Sequence, residues 1–360
     1  YMEFKTIKYK PKNQQMFFTS LKKKVNEYFD GKKSSKGNWK MYLKTVLQMA
    51  GYFIPFSILL SYDGMSTLSF YGIWIMMGVF MAGIGLSIQH DANHGAYSTN
   101  KTINSILGAL INLVGGSDHN WKIQHNILHH TYTNITGHDE DIHTVGILRF
   151  SPNEELKGIH RFQHLYAWFF YGLMTIQWLT TKDFRGLKRY YDMGLVKGNY
   201  KKEFFKLIIW KIIYIGYVLV LPMLFVDNFN FIEIIIGFLS MHFLAGLILG
   251  LIFQPAHVME TSEFPMPNQD MTIENTWAVH QMNNTSNFGN KNFFLNWYAG
   301  GLNFQIEHHL FPNICHIHYK KISKIVKQTA KEYGIPYNEL PSFTSAVWNH
   351  AKMLRKLGTS

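Results

Sequence analysis

GYFIPFSILLSYDGMSTLSFYGIWIMMGVFMAGIGLSIQHDANH, residues 51–94, decides the fold. It sits within two apolar runs, residues 42–60 and 70–89. Each is close to the ~20 residues that a helix needs to cross a hydrocarbon core. SYDGMSTLS, residues 61–69, separates them and contains no lysine or arginine, which predicts a helical hairpin. The second run ends directly in HDANH, residues 90–94, so histidines emerge where the chain leaves the apolar layer.

The same pattern recurs downstream. Residues 207–226 and 234–253 are apolar and are separated by a turn containing Asp227 and Asn228, again without basic residues. Positive charge lies at the other end of every run: twelve lysines before residue 45, eight basic residues between 182 and 206, and eight from 320 onward. Basic residues are retained on the cytosolic side, so both hairpins start and end there. The chain then divides into a basic N-terminal segment (1–41), hairpin 1 (42–89), a cytosolic section (90–203), hairpin 2 (204–253) and a C-terminal cytosolic section (254–360). Leu165–Leu179 is also apolar, but it is short, interrupted by Gln177 and flanked by Arg161, Lys182 and Arg185, which fits an interfacial helix better than a crossing. Lys211, one turn inside the third run, is expected to snorkel to the interface, and Pro55 and Pro222 to kink their helices.

Composition agrees: 47% hydrophobic and 16% charged residues suit a partly membrane-embedded chain, and a mean hydropathy of −0.08 requires a large wet portion as well. The net charge of +12 is not read as nucleic-acid binding, because the lysines cluster beside apolar runs and no nucleic-acid motif accompanies them. Anionic lipid headgroups are the expected partner. The single cysteine, Cys315, cannot form an intrachain disulfide and reads as a packed thiol. The lysine-rich, polar first 40 residues do not read as a cleavable signal peptide.

Three clusters carry the chemistry: HDANH at 90–94, HNILHH at 125–130 and QIEHH at 305–309. With 18 histidines in 360 residues, one HxxxH arises about once by chance, so significance comes from all three falling on one side of the membrane. An i, i+4 spacing on an α-helix points His90 and His94 to one face and does the same for His125 and His129, while His130 projects about 100° away. One helix could thus serve two metals. His257 follows the fourth apolar run at nearly the depth of His90, and His308 and His309 form a further adjacent pair with Gln305 one turn earlier. These eight histidines exceed the three or four protein ligands of one tetrahedral ion, so two metals are the economical count. Imidazole suits iron, zinc and copper alike. Asp91, Asp139, Glu140, Asp141, Glu260 and Glu307 are candidates to orient the rings. Neither HxxxH cluster contains the glutamate of HExxH, and no GxSxG, phosphate-binding loop or GxGxxG is present, which leaves redox chemistry near the bilayer.

The three boxes, their order and their spacing over residues 42–320 resemble the membrane-bound fatty acid desaturases. LNFQIEHHLFP, residues 302–312, is similar to the branch of front-end and linoleoyl-type acyl desaturases, in which glutamine replaces the first histidine of the third box. The resemblance implies an all-α integral membrane protein, with four transmembrane helices in two hairpins and a cytosolic helical cap holding a histidine-rich dimetal site. It implies two non-haem iron ions, dioxygen as co-substrate, and removal of two hydrogens from an acyl chain carried on lipid, coenzyme A or a carrier protein. The family's ligand positions fall on His90, His94, His125, His129, His130, His257, His308 and His309, with Gln305 at the substituted position and His280 as a further candidate. The HPGG mark of a fused haem domain is absent, so a separate ferredoxin or cytochrome is the expected electron donor. The membrane is the plasma membrane in a bacterial host and the endoplasmic reticulum in a eukaryotic one.

Trp121 and Trp297 are candidates to line a tunnel or gate for the acyl chain, against the alternative of interfacial anchoring. His242, in mid-span, is a functional candidate by position, whereas His316 and the other remaining histidines read as surface or packing residues. Two rival functions remain: a di-iron hydroxylase or alkane-type monooxygenase, and a histidine-lined metal transporter. Transport requires polar ligands inside the spans, where only His242 lies.

Overall fold

The computed structural model describes residues 4–10, 14–31, 34–144 and 146–360, so Lys12, Lys32 and Lys33 of the basic N-terminal segment lie outside the described residues. Among the described residues, four helices are long and apolar enough to cross a membrane: Trp39–Ser61, Thr67–Asn93, Tyr200–Phe225 and Phe231–His257. Their starts are set by side chains that accept the orphan backbone N–H groups of a first turn. Asn38, Ser66, Asn199 and Asn230 do this for the four spans in turn, and Glu233 completes a capping box with Asn230.

The second and fourth helices outrun their apolar stretches, so His90 and His257 lie in their final turns. These two helices pack on each other, and the first packs on the second. Close approach depends on small residues: a Cβ at Gly78 would sit 2.6 Å from the Met241 carbonyl oxygen. The fourth span also receives the helix Gln163–Gly172, where a Cβ at Gly246 would sit 2.7 Å from the Gly172 carbonyl oxygen. That helix ends at Leu173, and the Leu165–Leu179 stretch is not among the four helices of spanning length and composition.

Two expectations need correction. Lys211 does not snorkel. Its ammonium is buried, 2.5 Å from Asp183 and donating to the carbonyls of Gly115 and Trp178, so it ties the third span to the segment before it. His242 is not free for function either: Tyr214 Oη lies 2.7 Å from its Nε2 and Thr175 Oγ1 3.0 Å from its Nδ1. In the third span, five residues of π-helix, Gly216–Val220, precede Pro222. Proline lacks an N–H and crowds the carbonyl four residues back, and the widened turn relieves both.

Outside the spans the chain is largely helical, with Gln15–Phe29 packed on Tyr319–Glu332. It departs from an all-helical reading at two short parallel pairings, Lys8–Tyr9 with Thr272–Ile273 and Asn287–Phe288 with Glu339–Leu340. These clips join the N-terminal arm and the C-terminal section to the segment that follows the fourth span. Two of the four core clusters among the described residues reflect the same division. One runs between the spans, and the other lies under the Gln15–Phe29 and Tyr319–Glu332 helices.

Candidate metal centre

Four stretches bring the boxes together. The second span carries His90 and delivers His94 just beyond its end, Lys122–Tyr132 carries His125, His129 and His130, the fourth span ends in His257, and Gln305–Leu310 carries His308 and His309. His90, His94, His125 and His308 offer nitrogens all within 4.8 Å of one another, and so do His129, His257 and His309. His130 groups with His308 and His309 and thereby joins the two sets. The eight rings are buried except for His94, which is partly so.

The second box departs from the α-helical expectation. Lys122–His129 is a π-helix, and a π-turn aligns residues five apart instead of four. His125 and His130 therefore meet, Nε2 to Nε2 at 3.3 Å, while His125 and His129 send their Nε2 atoms to different sets. Their Nδ1 atoms instead converge on Asp141, at 3.3 and 3.5 Å. A second π-turn, Ile84–Gln89, immediately precedes His90.

Outer partners fix which nitrogen points inward. His129 Nδ1 donates to Asp139 at 3.0 Å, His309 Nδ1 to Gln281 Oε1 at 2.7 Å, and His257 Nδ1 to the Asn284 carbonyl at 3.2 Å. Tyr319 Oη lies 3.4 Å from His308 Nδ1. With Nδ1 carrying the proton, each Nε2 presents a lone pair to the interior. Nε2 pairs face one another at 3.2 Å (His90, His125) and 3.0 Å (His130, His308), while Nε2 of His94, His257 and His309 is buried without a partner. Lone pairs this close, in a buried site, repel unless a cation lies between them. Metal–nitrogen bonds of about 2.1 Å at angles of about 90–109° would place neighbouring nitrogens about 3.0–3.4 Å apart, so the residues fit metal ions.

The electrostatics point the same way. Burial lowers His94, His125, His130, His308 and His309 below the ordinary imidazole value, and crowding by other imidazoles adds to this, which favours the neutral, ligating form. His129 differs: burial lowers it, but the carboxylates of Asp139 and Asp141 outweigh burial and raise it to about 9. In return His129 and His125 hold the Asp141 carboxyl well below the usual range, despite burial that would raise it.

Not every expected residue joins the cluster. His280 donates or accepts elsewhere, with Nε2 2.8 Å from the Thr133 carbonyl and Nδ1 3.2 Å from Asn284, and it belongs to none of the nitrogen sets. Gln305 is buried with its amide nitrogen unpartnered. Of the acids, only Asp139 and Asp141 touch ring nitrogens of the boxes. Asp91 turns to His316 Nδ1 at 2.8 Å, and Lys44 Nζ lies 2.7 Å from the other nitrogen of that ring. Glu140 pairs with Arg189, Glu307 accepts from Asn287 and Tyr337, and Glu260 is exposed. Sequence reading missed Gln281, Asn284, Tyr319 and Asn134, whose amide donates to the His257 carbonyl. Asn134 in a left-handed conformation (φ 59°) has a local signal, since asparagine tolerates that region, but the other three have none.

A chamber of ≈ 70 Å³ opens beside His125, His129 and His257, walled by Trp121, Met174 and Phe253. A larger cavity of ≈ 380 Å³ shares its Asp141, Met174, Lys182 and Gln254 walls and is lined further out by Leu148, Phe150, Phe170 and Tyr171. Trp121 lies against His125, centroids 4.5 Å apart, and so stands where the chamber meets the histidine cluster. Trp297 lies away from it, 5.4 Å from the Lys44 ammonium.

Residues 66–341 match the family model described as fatty acid desaturase. The chain is 36% identical to the sn-1 linoleoyl-lipid 6-desaturase of Synechocystis, over 94% of each protein. It is 33% identical to the enzyme of the same name from Arthrospira platensis (95% of this chain, 92% of the relative). It is 32% identical to the acyl-lipid (8-3)-desaturase of Physcomitrium patens (98% of this chain, 74% of the relative). With a model match across most of its length and relatives of this similarity, the chain belongs to the fatty acid desaturase family, in the branch of linoleoyl-type and front-end acyl desaturases.

Proposed function

We propose that this membrane fatty acyl desaturase acts on the acyl chain of a glycerolipid, using two iron ions and dioxygen held among His90, His94, His125, His129, His130, His257, His308 and His309. The observation that carries the reading is that His125, His129 and His257, drawn from the two sets of clustered imidazoles, wall a chamber beside a larger cavity with an aromatic and aliphatic side. Iron with dioxygen supplies the oxidant that takes two hydrogens from adjacent methylenes, with two further electrons and two protons completing the reduction to water. The chain's own residues do the rest. Phe150, Phe170, Tyr171 and Met174 bury the hydrocarbon at roughly 0.8 kcal/mol per methylene and exclude water. Trp121 and Phe253 confine the methylenes nearest the metals, and Asp139, Asp141 and Gln281 keep the ligating rings in one orientation. Gln305, one turn before His308 on the same helix and buried with a free amide nitrogen, would hold a water or make a weak contact with a bound ion, and His280 is assigned to packing.

The glycerolipid form follows the names of the Synechocystis and Arthrospira relatives. The four spans are assigned as two hairpins with both chain ends and the metal centre in the cytosol, on the support of lysine-free short turns and basic segments at the other ends. A separate ferredoxin or cytochrome delivers the electrons to that face. The test is expression in a host lacking polyunsaturated lipids, followed by mass analysis of its fatty acids. The desaturase reading expects products lighter by two hydrogens, and products heavier by one oxygen would establish a hydroxylase instead.

A further inference from the structure

We propose that the lysine-rich faces of Gln15–Phe29 and Tyr319–Glu332 form the docking surface for an acidic one-electron carrier protein, and that Trp277 is the point at which its electrons pass to the metal centre. This rests on the desaturase reading above, which calls for a donor without placing it on the fold. The two helices pack on each other and carry eight lysines against two glutamates. Lys320, Lys324, Lys327 and Lys331 recur at i, i+4, i+7 and i+11, which aligns them along one exposed stripe. Lys24 reaches across to Glu332 at 2.5 Å, so the two faces adjoin. Lys23 pairs with Glu27 and Lys327 with Glu339. Among the described residues, Lys22, Lys320, Lys321, Lys324 and Lys331 have no carboxylate oxygen within 4.0 Å. A helix that lies in a membrane surface turns leucine or phenylalanine toward lipid beside its lysines. These two do the reverse: Phe17, Leu21, Val25, Ile322, Val326 and Ala330 are buried in the core beneath them, and of their large apolar side chains only Met16 is exposed. The lysines therefore face water, and their complement is the acidic surface of a soluble protein.

Both helices also lead to ligating histidines. Lys22 Nζ lies 4.4 Å from the centre of the Phe18 ring, and Phe18 meets the half-buried Trp277 edge to face, centroids 5.5 Å apart. Trp277 Nε1 donates to the His130 carbonyl at 2.9 Å, and the His130 ring groups with His308 and His309. Tyr319, the first residue of the second helix, has its Oη 3.4 Å from His308 Nδ1. Exposed charge, aromatic rings and ligand residues thus follow one another directly. Forming one double bond takes two electrons and two protons from the acyl chain, whereas reducing dioxygen to two waters takes four of each. Two carrier molecules each give up one electron, and solvent gives the two protons. Trp277 conducts through its contacts and is not itself oxidised.

The experiment places full-length, metal-loaded protein in nanodiscs of phosphatidylcholine and adds reduced plant-type ferredoxin, with reduced methyl viologen as a small donor that needs no docking. Lys320→Gln/Lys321→Gln/Lys324→Gln should weaken ferredoxin binding at low salt about tenfold, the scale of three exposed charge contacts, and high salt should weaken wild-type binding likewise. Lys197→Gln/Lys201→Gln/Lys202→Gln, an equal loss of exposed charge around the start of the third span, should leave binding unchanged. Trp277→Leu should keep ferredoxin binding and lower the ratio of ferredoxin-driven to viologen-driven turnover severalfold, and Trp277→Phe should recover most of that ratio. A packing role alone would lower both rates alike. Wild-type affinity in the first variant, an equal loss in the second, or an unchanged ratio in Trp277→Leu would overturn the proposal. Ferredoxin binding through these lysines with no double bond formed under either donor would overturn the desaturase reading and not the docking surface.

Discussion

His125 and His130 are five residues apart in sequence, yet their Nε2 atoms are 3.3 Å apart, because the turn between them is π-helical. In an α-helix the same residues would diverge by about 140°, and His130 could not join His308 and His309 while His125 joined His90 and His94. The wide turn lets one short segment supply rings to both nitrogen sets.

Adding one residue to that turn tests this directly. An alanine inserted after Asn126 puts the two histidines six residues apart, where an α-helix turns them about 120° from one another, so it should swing His125 away from His130 and lower metal content from two ions per chain toward one. Desaturation should fall by about 100-fold, the upper end of what loss of ligand positioning costs. Metal analysis of the inserted, purified variant checks it. Retention of both ions would show that the π-turn is not what divides the ligands.

Asp139 accepts from His129 Nδ1 and from the backbone N–H groups of Asn134 and Asp141. Asp139→Asn should weaken metal retention against a chelator by about 10–100-fold. Glu260→Gln, an exposed site that touches no ring, should change nothing in the same titration.

Gly246 meets the backbone of Tyr171 and Gly172, so a larger side chain must force the two helices apart. Gly246→Leu should destabilise the protein by about 1–3 kcal/mol, read as a lower melting temperature in detergent. It should also disturb the cavity wall at Tyr171. Gly72, where an added Cβ meets nothing within 4 Å, should accept alanine without loss.

His350 is buried between Tyr171 Oη (2.6 Å) and the Val258 carbonyl (2.8 Å). Burial lowers it to about 4, against the opposing pull of the carbonyl bond. The unfolded chain then binds more protons than the folded one between about pH 6.5 and 4, so stability falls as pH drops through that window, by up to about 3 kcal/mol from this residue. Thermal unfolding of wild type and His350→Gln at pH 7.5 and 5 checks the sign. The variant should show the smaller loss on acidification.

The spans were legible because lipid imposes composition: an unpaired backbone or a charge in the bilayer core is costly, so crossing helices declare themselves by length and apolarity. The histidine boxes were legible because ligation needs a fixed residue type. What the residues did not disclose depends on contacts distant in sequence or on backbone winding. Nothing in KIQHNILH distinguishes a π-turn from an α-turn. Gln281 reaches His309 and Thr133 across the fold, and neither its type nor its neighbours mark it. Asp91 sits beside His90 and looks like its partner, but Lys44 and His316 arrive from other segments and claim it. The depth of Lys211 in a span does not reveal that Asp183 pairs with it.

In the proposed function eight imidazoles hold a pair of iron ions beside an acyl cavity. Iron quantification on active, purified protein tests it most directly, with wild type and His129→Ala compared at equal membrane insertion. The account predicts two irons per wild-type chain, loss of at least one in the variant, and no double-bond formation by the variant. Active wild-type protein without iron, or a variant with full iron content and full activity, would contradict it.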